Sequence, residues 1–280
     1  MALPPFVLIL VLDYCEGRVG RLTANGKVEL YRFEDFDAVD GLAHGVSQRH
    51  GGVSEAPWAS LNLGGSVGDV PDAVSENHER LCAALDLPRA ALVSSRLVHG
   101  DSVAVVTGQE RATLVPHTDA LVTADSDVYL LVRCADCVPV LIVDPVRRVV
   151  GAAHAGWRGT LAFIAAKTAH TMVEAFGSEP SDLRVGIGPS IGPCCYEVGE
   201  DVVDATCASF GANAGSLLRR RRGRTVLDLW EANRQQVAAL GVRHITVSGV
   251  CTACQVRDYY SHRAEAGRTG RFAAVIGFRA

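Results

Sequence analysis

Apolar positions recur along the chain with two different periods, one helical and one strand-like. From Pro71 to Leu85, residues Val74, Leu81 and Leu85 fall at roughly helical spacing. From Thr160 to Phe176, Leu161, Ile164, Thr168 and Met172 form one stripe, with Gly177 placed to stop the helix. A third helix is expected from the cap residue Asp228 through Leu229, Ala232, Val237 and Leu240 to Gly241. Between these segments lie apolar, β-branched runs at Val103–Thr107, Val128–Val132, Val138–Val143, Val149–Ala153, Leu183–Ile187 and Ile245–Val250, which predict strands. Only Asp144-Pro-Val-Arg-Arg148 separates Val138–Val143 from Val149–Ala153, so these two should form an antiparallel hairpin, which disfavours a purely parallel, doubly wound sheet. The pattern describes a mixed α/β fold with helices lying against sheet.

Composition narrows this picture. The chain has 280 residues and is 48% hydrophobic, enough for a sizeable core, and no repeat or low-complexity linker divides it. A single domain over residues 1–280 is the expectation, with residues 1–40 showing little beyond a strand and a turn. The apolar run Phe6–Leu12 is too short to cross a bilayer and reads as a buried first strand. With 27 basic against 31 acidic residues the formal charge is -4, which excludes broad attraction to a nucleic-acid polymer or to anionic lipid. The basic run Leu218–Arg224 lacks interleaved aromatics and reads as a solvated loop. Nine cysteines, an odd number in a chain with an adequate core, point to reduced thiols in the cytoplasm rather than to a disulfide scaffold.

Candidate chemistry concentrates in Val149-Val-Gly-Ala-Ala-His-Ala-Gly-Trp-Arg-Gly-Thr160. An apolar strand ends at His154, glycines 156 and 159 allow a sharp turn, and a helix follows, so His154 and Arg158 sit at a strand-to-helix junction. If the hairpin pairs around Asp144-Pro145, Cys137 reaches the same sheet end as His154. His99, in the turn Leu97-Val-His-Gly100, supplies a possible third corner. One thiolate and two imidazoles suit zinc, with copper as the alternative, and a three-ligand set leaves a position for water; this single set predicts one zinc per chain. Each residue has a plainer role open to it, a packed histidine or a small buried thiol. The pairs Cys134/Cys137 and Cys251/Cys254 are both C-x-x-C, so a four-thiolate structural zinc site built from them is a rival, and with it a non-enzymatic, zinc-stabilised interaction domain. Val46–Ser54, Gly186–Glu197 and Tyr259–Arg271 combine glycines, cations and aromatics in a way that suits active-site walls.

These residues resemble the YfiH/LACC1 family of laccase-like proteins. The resemblance is carried by Arg49-His-Gly-Gly-Val-Ser54, Leu61-Asn-Leu-Gly64, Val98-His-Gly100, Ala135-Asp-Cys-Val-Pro-Val140, His154-Ala-Gly-Trp-Arg-Gly159, Gly188-Pro-Ser-Ile-Gly-Pro-Cys-Cys-Tyr-Glu197 and Tyr260 to Arg271. It implies an α/β/β/α layered sandwich with mixed sheets. It also implies that His99, Cys137 and His154 are zinc ligands, that Arg49 lies near substrate, and that Asn62, Arg158 and Arg263 belong to the substrate-binding motifs. Arg49, Cys137, His154 and Arg158 are the catalytic candidates. Leu97, Cys134 and His262 depart from the residues usual at those positions, which leaves the ligand trio intact. The implied activity is purine nucleoside phosphorolysis, in which phosphate cleaves adenosine, inosine, guanosine or methylthioadenosine, together with metal-dependent adenosine deamination. Asp136 and Glu197 are the candidates for proton transfer. The expected partners are small, purine nucleosides and inorganic phosphate, acting on a monomer. The family's older label suggests a copper-dependent polyphenol oxidoreductase instead; against several adjacent copper centres, no His-x-His or His-His step occurs in the chain.

Overall fold

The computed structural model describes residues 21–25 and 28–280, so the strand expected at Phe6–Leu12 lies outside the described residues. Two mixed sheets form the centre. The first runs, in spatial order, β1 (Arg21–Asn25), β2 (Val28–Arg32), β3 (Leu42–Ser47), β15 (Phe272–Phe278), β8 (Tyr129–Cys134), β4 (Leu92–Ser95) and β6 (Leu114–Val115). The second runs β14 (His244–Val247), β11 (Arg184–Ile187), β9 (Val138–Asp144), β10 (Val149–Ala155), β7 (Ala120–Thr123) and β5 (Val103–Val105). Most neighbours are antiparallel, while β4 with β8, β4 with β6, β5 with β7 and β11 with β14 are parallel.

The sheets face one another, and helices cover both outer faces. Between the sheets pack Val46, Leu130, Val132, Ala274 and Ile276 from the first and Leu121, Leu141, Val143, Val150 and Ala152 from the second. Outside the second sheet, Val140, Ile142, Val149 and Ala153 meet Ile164, Ala165, Ala169 and Met172 of α4 (Ile164–Phe176) and Trp230 and Val237 of α7 (Leu229–Ala239). Outside the first sheet, Leu131, Ala273 and Val275 meet Leu81, Cys82 and Leu85 of α2 (Pro71–Leu85). The layers are therefore α/β/β/α. Central strands such as β9 are buried on both faces, which is why they read as continuous apolar runs without polar alternation. The remaining helices are α1 (Glu34–Asp37), α3 (Trp157–Leu161), α5 (Glu200–Phe210) and α6 (Ala214–Leu217).

The local signals acted as their chemistry dictates. Asp228 accepts the Glu231 N–H at 3.0 Å and starts α7, and Gly177 ends α4 in the left-handed region at φ 68°. The β9–β10 turn is held by Asp144 Oδ1, which accepts the Val146 and Arg147 N–H groups, each at 2.9 Å. Two expectations need correction. The single helix expected from Thr160 to Phe176 is two helices, because Phe163 adopts φ 64° and the Thr160 carbonyl accepts the Gln236 Nε2 donor of α7 at 2.7 Å and the Phe163 N–H at 3.0 Å. Leu218–Arg224 is not a loop: β12 (Leu218–Arg221) and β13 (Arg224–Leu227) form a hairpin that turns on Arg222 and Gly223, both with positive φ, and its arginine side chains stay exposed.

Ile142 lies fully buried at the middle of β9, between β10 and β11. Ile142→Ala should therefore destabilise the protein by about 2–5 kcal/mol in denaturant unfolding. A loss within about 0.5 kcal/mol, the range of a surface substitution, would contradict this arrangement of the core.

Candidate active site

The β9–β10 register pairs His154 with Pro139 and Ala155 with Val138, so Cys137, one residue before β9, lies at the sheet end where β10 finishes. On the other side of β10, β7 pairs Ala120 with Ala153, and the His154 N–H donates to the Asp119 carbonyl at 2.8 Å. The Asp119 carboxylate then organises the third corner. Its oxygens accept the N–H groups of Val98 at 3.2 Å, His99 at 2.9 Å and Gly100 at 2.8 Å. Oδ1 also lies 3.2 Å from His154 Nδ1. In the neutral ring, donation from Nδ1 to this carboxylate leaves Nε2 of His154 with a lone pair to offer elsewhere.

His99, Cys137 and His154 converge, with one ligand atom from each within 4.8 Å of the others. His99 holds φ 58°, uncommon for a non-glycine residue, and the three N–H bonds to Asp119 sustain it. Two glycines make room. A Cβ on Gly159 would stand 2.7 Å from the Gly100 carbonyl, so α3 approaches the histidine turn only because that residue has no side chain. A Cβ on Gly156 would stand 3.1 Å from Cys137 Sγ and 3.4 Å from His99 Cδ2, inside the space the three ligand atoms share. The donor set, the carboxylate behind His154 and this cradle fit a zinc ion, and a nitrogen–sulfur set of this kind also accepts copper.

Without a metal ion, the electrostatics are those of a coupled thiolate and imidazolium. Burial would push the Cys137 thiol up, but the neighbouring His154 and the hydrogen bonds from His154 and His99 bring it down to about 6. Burial would likewise lower His154, yet the Cys137 thiolate and the Asp119 carboxylate raise it to about 9. Asp119 is itself held below the usual carboxylate range: burial opposes this, while the His154 bond and the N–H groups of Gly100 and Val98 outweigh it.

A shallow cleft open to solvent lies over this group, lined by His99, Asp136, Cys137, Gly156, Trp157, Arg158, Ile191, Tyr196 and Leu229. Arg158 is exposed, its guanidinium stacks 4.3 Å from the Trp157 ring centroid, and it makes no ion pair among the described residues. Arg263 stands beside the cleft, 5.2 Å over Tyr196, with Nη1 donating to the Glu197 carbonyl. Arg49 and Asn62 are not among the lining residues. Arg49 donates to the Ala59 and Val256 carbonyls and to Glu265, and stacks on Tyr260 at 4.4 Å. Asn62 is fully buried, bonded to Gly64, Asp69 and the Arg271 N–H. Asp136 lines the cleft, but its two carboxylate oxygens accept Thr252 Oγ1 and the Arg263 N–H. The Glu197 carboxylate accepts from Arg224 of β13.

Sequence reasoning passed over Asp119, whose one legible signal is an acid directly ahead of the apolar stretch Ala120–Val122. The rival four-thiolate pairing is corrected: Cys137 joins the two histidines, Cys134 is buried between the sheets, and Cys251 and Cys254 meet Cys194 and Cys195 instead.

In metal-free protein the depressed Cys137 favours folding above its ordinary range, a contribution lost as pH falls through about 6. The raised His154 contributes below its ordinary range, and this is lost as pH rises through about 9. The pair is thus intact between these limits. Alkylation of Cys137 after chelation should rise with a midpoint near pH 6. Asp119→Asn should move that midpoint upward, because the imidazolium loses its carboxylate; a wild-type midpoint in the ordinary thiol range would refute the pairing.

No helix among the described residues is long and apolar enough to cross a membrane. Residues 43–279 match the family described as multi-copper polyphenol oxidoreductase laccase. The chain is 42% identical over 249 residues, 85% of its length and 91% of the relative's, to purine nucleoside phosphorylase YlmD of Geobacillus stearothermophilus. It is 44% identical over 237 residues, 84% of its length and 89% of the relative's, to a purine nucleoside phosphorylase of Deinococcus radiodurans. The crystal structure of YlmD from Geobacillus stearothermophilus superposes with a TM-score of 0.88 at 39% identity, covering 94% of this chain and 100% of that one. On the extent of these matches and on the shared layered fold, the chain belongs to the laccase-like YfiH and YlmD family.

Proposed function

We propose that this chain is a purine nucleoside phosphorylase that cleaves adenosine, inosine, guanosine or methylthioadenosine with inorganic phosphate. The products are the free base and ribose 1-phosphate, or methylthioribose 1-phosphate. Adenosine deamination in the same cleft is the accompanying activity. The observation that carries this reading is the meeting of His99, Cys137 and His154 in one cleft with Arg158, an arginine that makes no ion pair among the described residues. The activity for which relatives more than 40% identical are named agrees with it.

The residues divide the work as follows. Arg158, stacked on Trp157 and without a carboxylate partner among the described residues, binds the hydrogen phosphate dianion and brings an oxygen to the ribose anomeric carbon; as the carbon–oxygen bond forms the carbon–nitrogen bond breaks, and the purine leaves with the proton that the hydrogen phosphate gives up. Trp157 and Tyr196 wall the cleft with ring surface suited to a base. Arg263 positions Tyr196 through the Glu197 carbonyl, and Asp136 ties the Arg263 backbone to Thr252. Arg49 and Asn62 act at one remove, by holding the segments that carry Tyr260 and Arg271. His99, Cys137 and His154 would hold zinc, which when bound supplies Lewis acidity and lowers the pKa of water, the chemistry that deamination at C6 requires. Asp119 keeps the His154 ring oriented for that role.

Inosine with phosphate should yield hypoxanthine and ribose 1-phosphate, and adenosine without phosphate should yield inosine, both read by liquid chromatography. Cys137→Ala should abolish the deamination and impair cleavage. Phosphate-independent release of hypoxanthine and free ribose would replace phosphorolysis by hydrolysis. Absence of turnover by metal-replete protein, with oxygen uptake on a phenol, would transfer the assignment to the copper oxidoreductase of the family's description.

Arg158→Ala should raise the KM for phosphate about tenfold or more, equivalent to about 1.4 kcal/mol, and leave the melting temperature near that of wild type. Arg263→Ala should lower kcat/KM for the nucleoside more than it lowers thermal stability. Unchanged catalytic efficiency in either variant would remove that residue from the site.

A further inference from the structure

Four thiols lie together away from the histidine-containing set. Cys194 and Cys195 sit in the strap that follows β11, and Cys251 and Cys254 form a C-x-x-C turn beyond β14. Their Sγ atoms all fall within 4.8 Å of one another. Cys254 Sγ is 3.5 Å from Cys194 Sγ and 3.4 Å from Cys195 Sγ, and none of the four cysteines is in a disulfide. Four thiolates on a tetrahedral zinc with bonds of about 2.3 Å stand roughly 3.8 Å apart, a spacing these side chains reach with small rotations. Neutral thiols hydrogen-bond weakly and ionised ones repel, so the cluster by itself gains little from this crowding.

The backbone around it has the form that a thiolate–metal knuckle needs. Cys251 Sγ accepts the Gly192 N–H at 3.2 Å, and the Cys254 N–H also reaches it. The Gln255 N–H closes the turn on the Cys251 carbonyl at 3.0 Å. Strap and turn already run side by side: the Ser190 N–H donates to the Val250 carbonyl at 3.1 Å and the Thr252 N–H to the Ser190 carbonyl at 3.0 Å. Cys194 and Cys195 are half-buried and Cys254 is exposed, which leaves an entry path for an ion.

We infer that Cys194, Cys195, Cys251 and Cys254 bind one zinc ion as a tetrathiolate structural centre, separate from the His99, Cys137 and His154 set. It fastens the strap carrying Ile191 and Tyr196, two walls of the cleft, to the turn whose Thr252 holds Asp136. Each thiol that ionises releases its proton to solvent as the ion enters, and with no position open for water the centre is closed and structural. The expected count becomes two zinc ions per chain, where the sequence had suggested one.

The test uses the full chain purified under reducing conditions. Elemental analysis should find two zinc ions in wild type, one in His99→Ala and one in Cys254→Ser. Cobalt(II) titrated into metal-free His99→Ala should give the intense sulfur-to-cobalt absorption of a tetrathiolate site at one equivalent, and Cys251→Ser should lose it. Should the serine variants fail to fold, alkylation mapped residue by residue on wild type serves in their place. The four thiols should be protected together by zinc and exposed together by a chelator. A single zinc lost in His99→Ala and kept in Cys254→Ser, a disulfide within the four, independent alkylation, or iron or copper in this position would each overturn the inference.

Discussion

Antiparallel pairing of β10 with both of its neighbours is the constraint on which the candidate site rests. Strand side chains project with a period of two residues, so a one-residue slip would turn His154 to the opposite face of the sheet. It would also separate His154 from Cys137, which joins it only because Ala155 pairs with Val138. Burial on both faces of β9 and β10 makes such a slip costly, since every apolar side chain along them would have to exchange one core for the other. The stability of the layered core and the precision with which Cys137 and His154 meet are therefore one property.

Asp119 extends this precision from the sheet into a loop. Its carboxylate accepts three backbone N–H groups and faces an imidazole, so one buried charge both shapes the His99 turn and holds the His154 ring. A buried carboxylate without such partners would be strongly disfavoured. With them it sits lower than a solvated one and raises His154 enough to stabilise the Cys137 thiolate. The His154–Cys137 pairing and the loop conformation thus answer to the same residue.

The cleft is built in two parts. One side, with His154, Trp157 and Arg158, follows from a continuous strand-to-helix junction. The other, with Ile191 and Tyr196, is a strap held by hydrogen bonds to the turn at 250–252 and packed over Trp230, whose Nε1 donates to Ser190 Oγ at 2.7 Å. Backbone rigidity suffices for the first part. The second is irregular chain, and its order depends on contacts with other segments, the cysteine cluster among them.

Local sequence by itself determined the caps at Asp228 and Gly177, the β9–β10 hairpin and the most apolar strands, because each depends on residues near in the chain. It also brought Cys137 and His154 to one sheet end, since a hairpin of known turn predicts which strand ends coincide, whereas His99 joined them only as a possible third corner and through the family resemblance. Tertiary structure decided what depends on distant partners. The Gln236 side chain takes the carbonyl of Thr160 and splits one expected helix into two. Arg49 and Asn62, each in a motif of its own as Arg158 is, make hydrogen bonds that hold loops and are not among the residues lining the cleft. The C-x-x-C at 251–254 meets Cys194 and Cys195 and not the C-x-x-C at 134–137, because β8 buries Cys134 between the sheets while the turn after it sends Cys137 to the histidines. Spacing along a chain sets which residues share a turn or a strand face; which turns then meet is set by the packing of the layers that carry them.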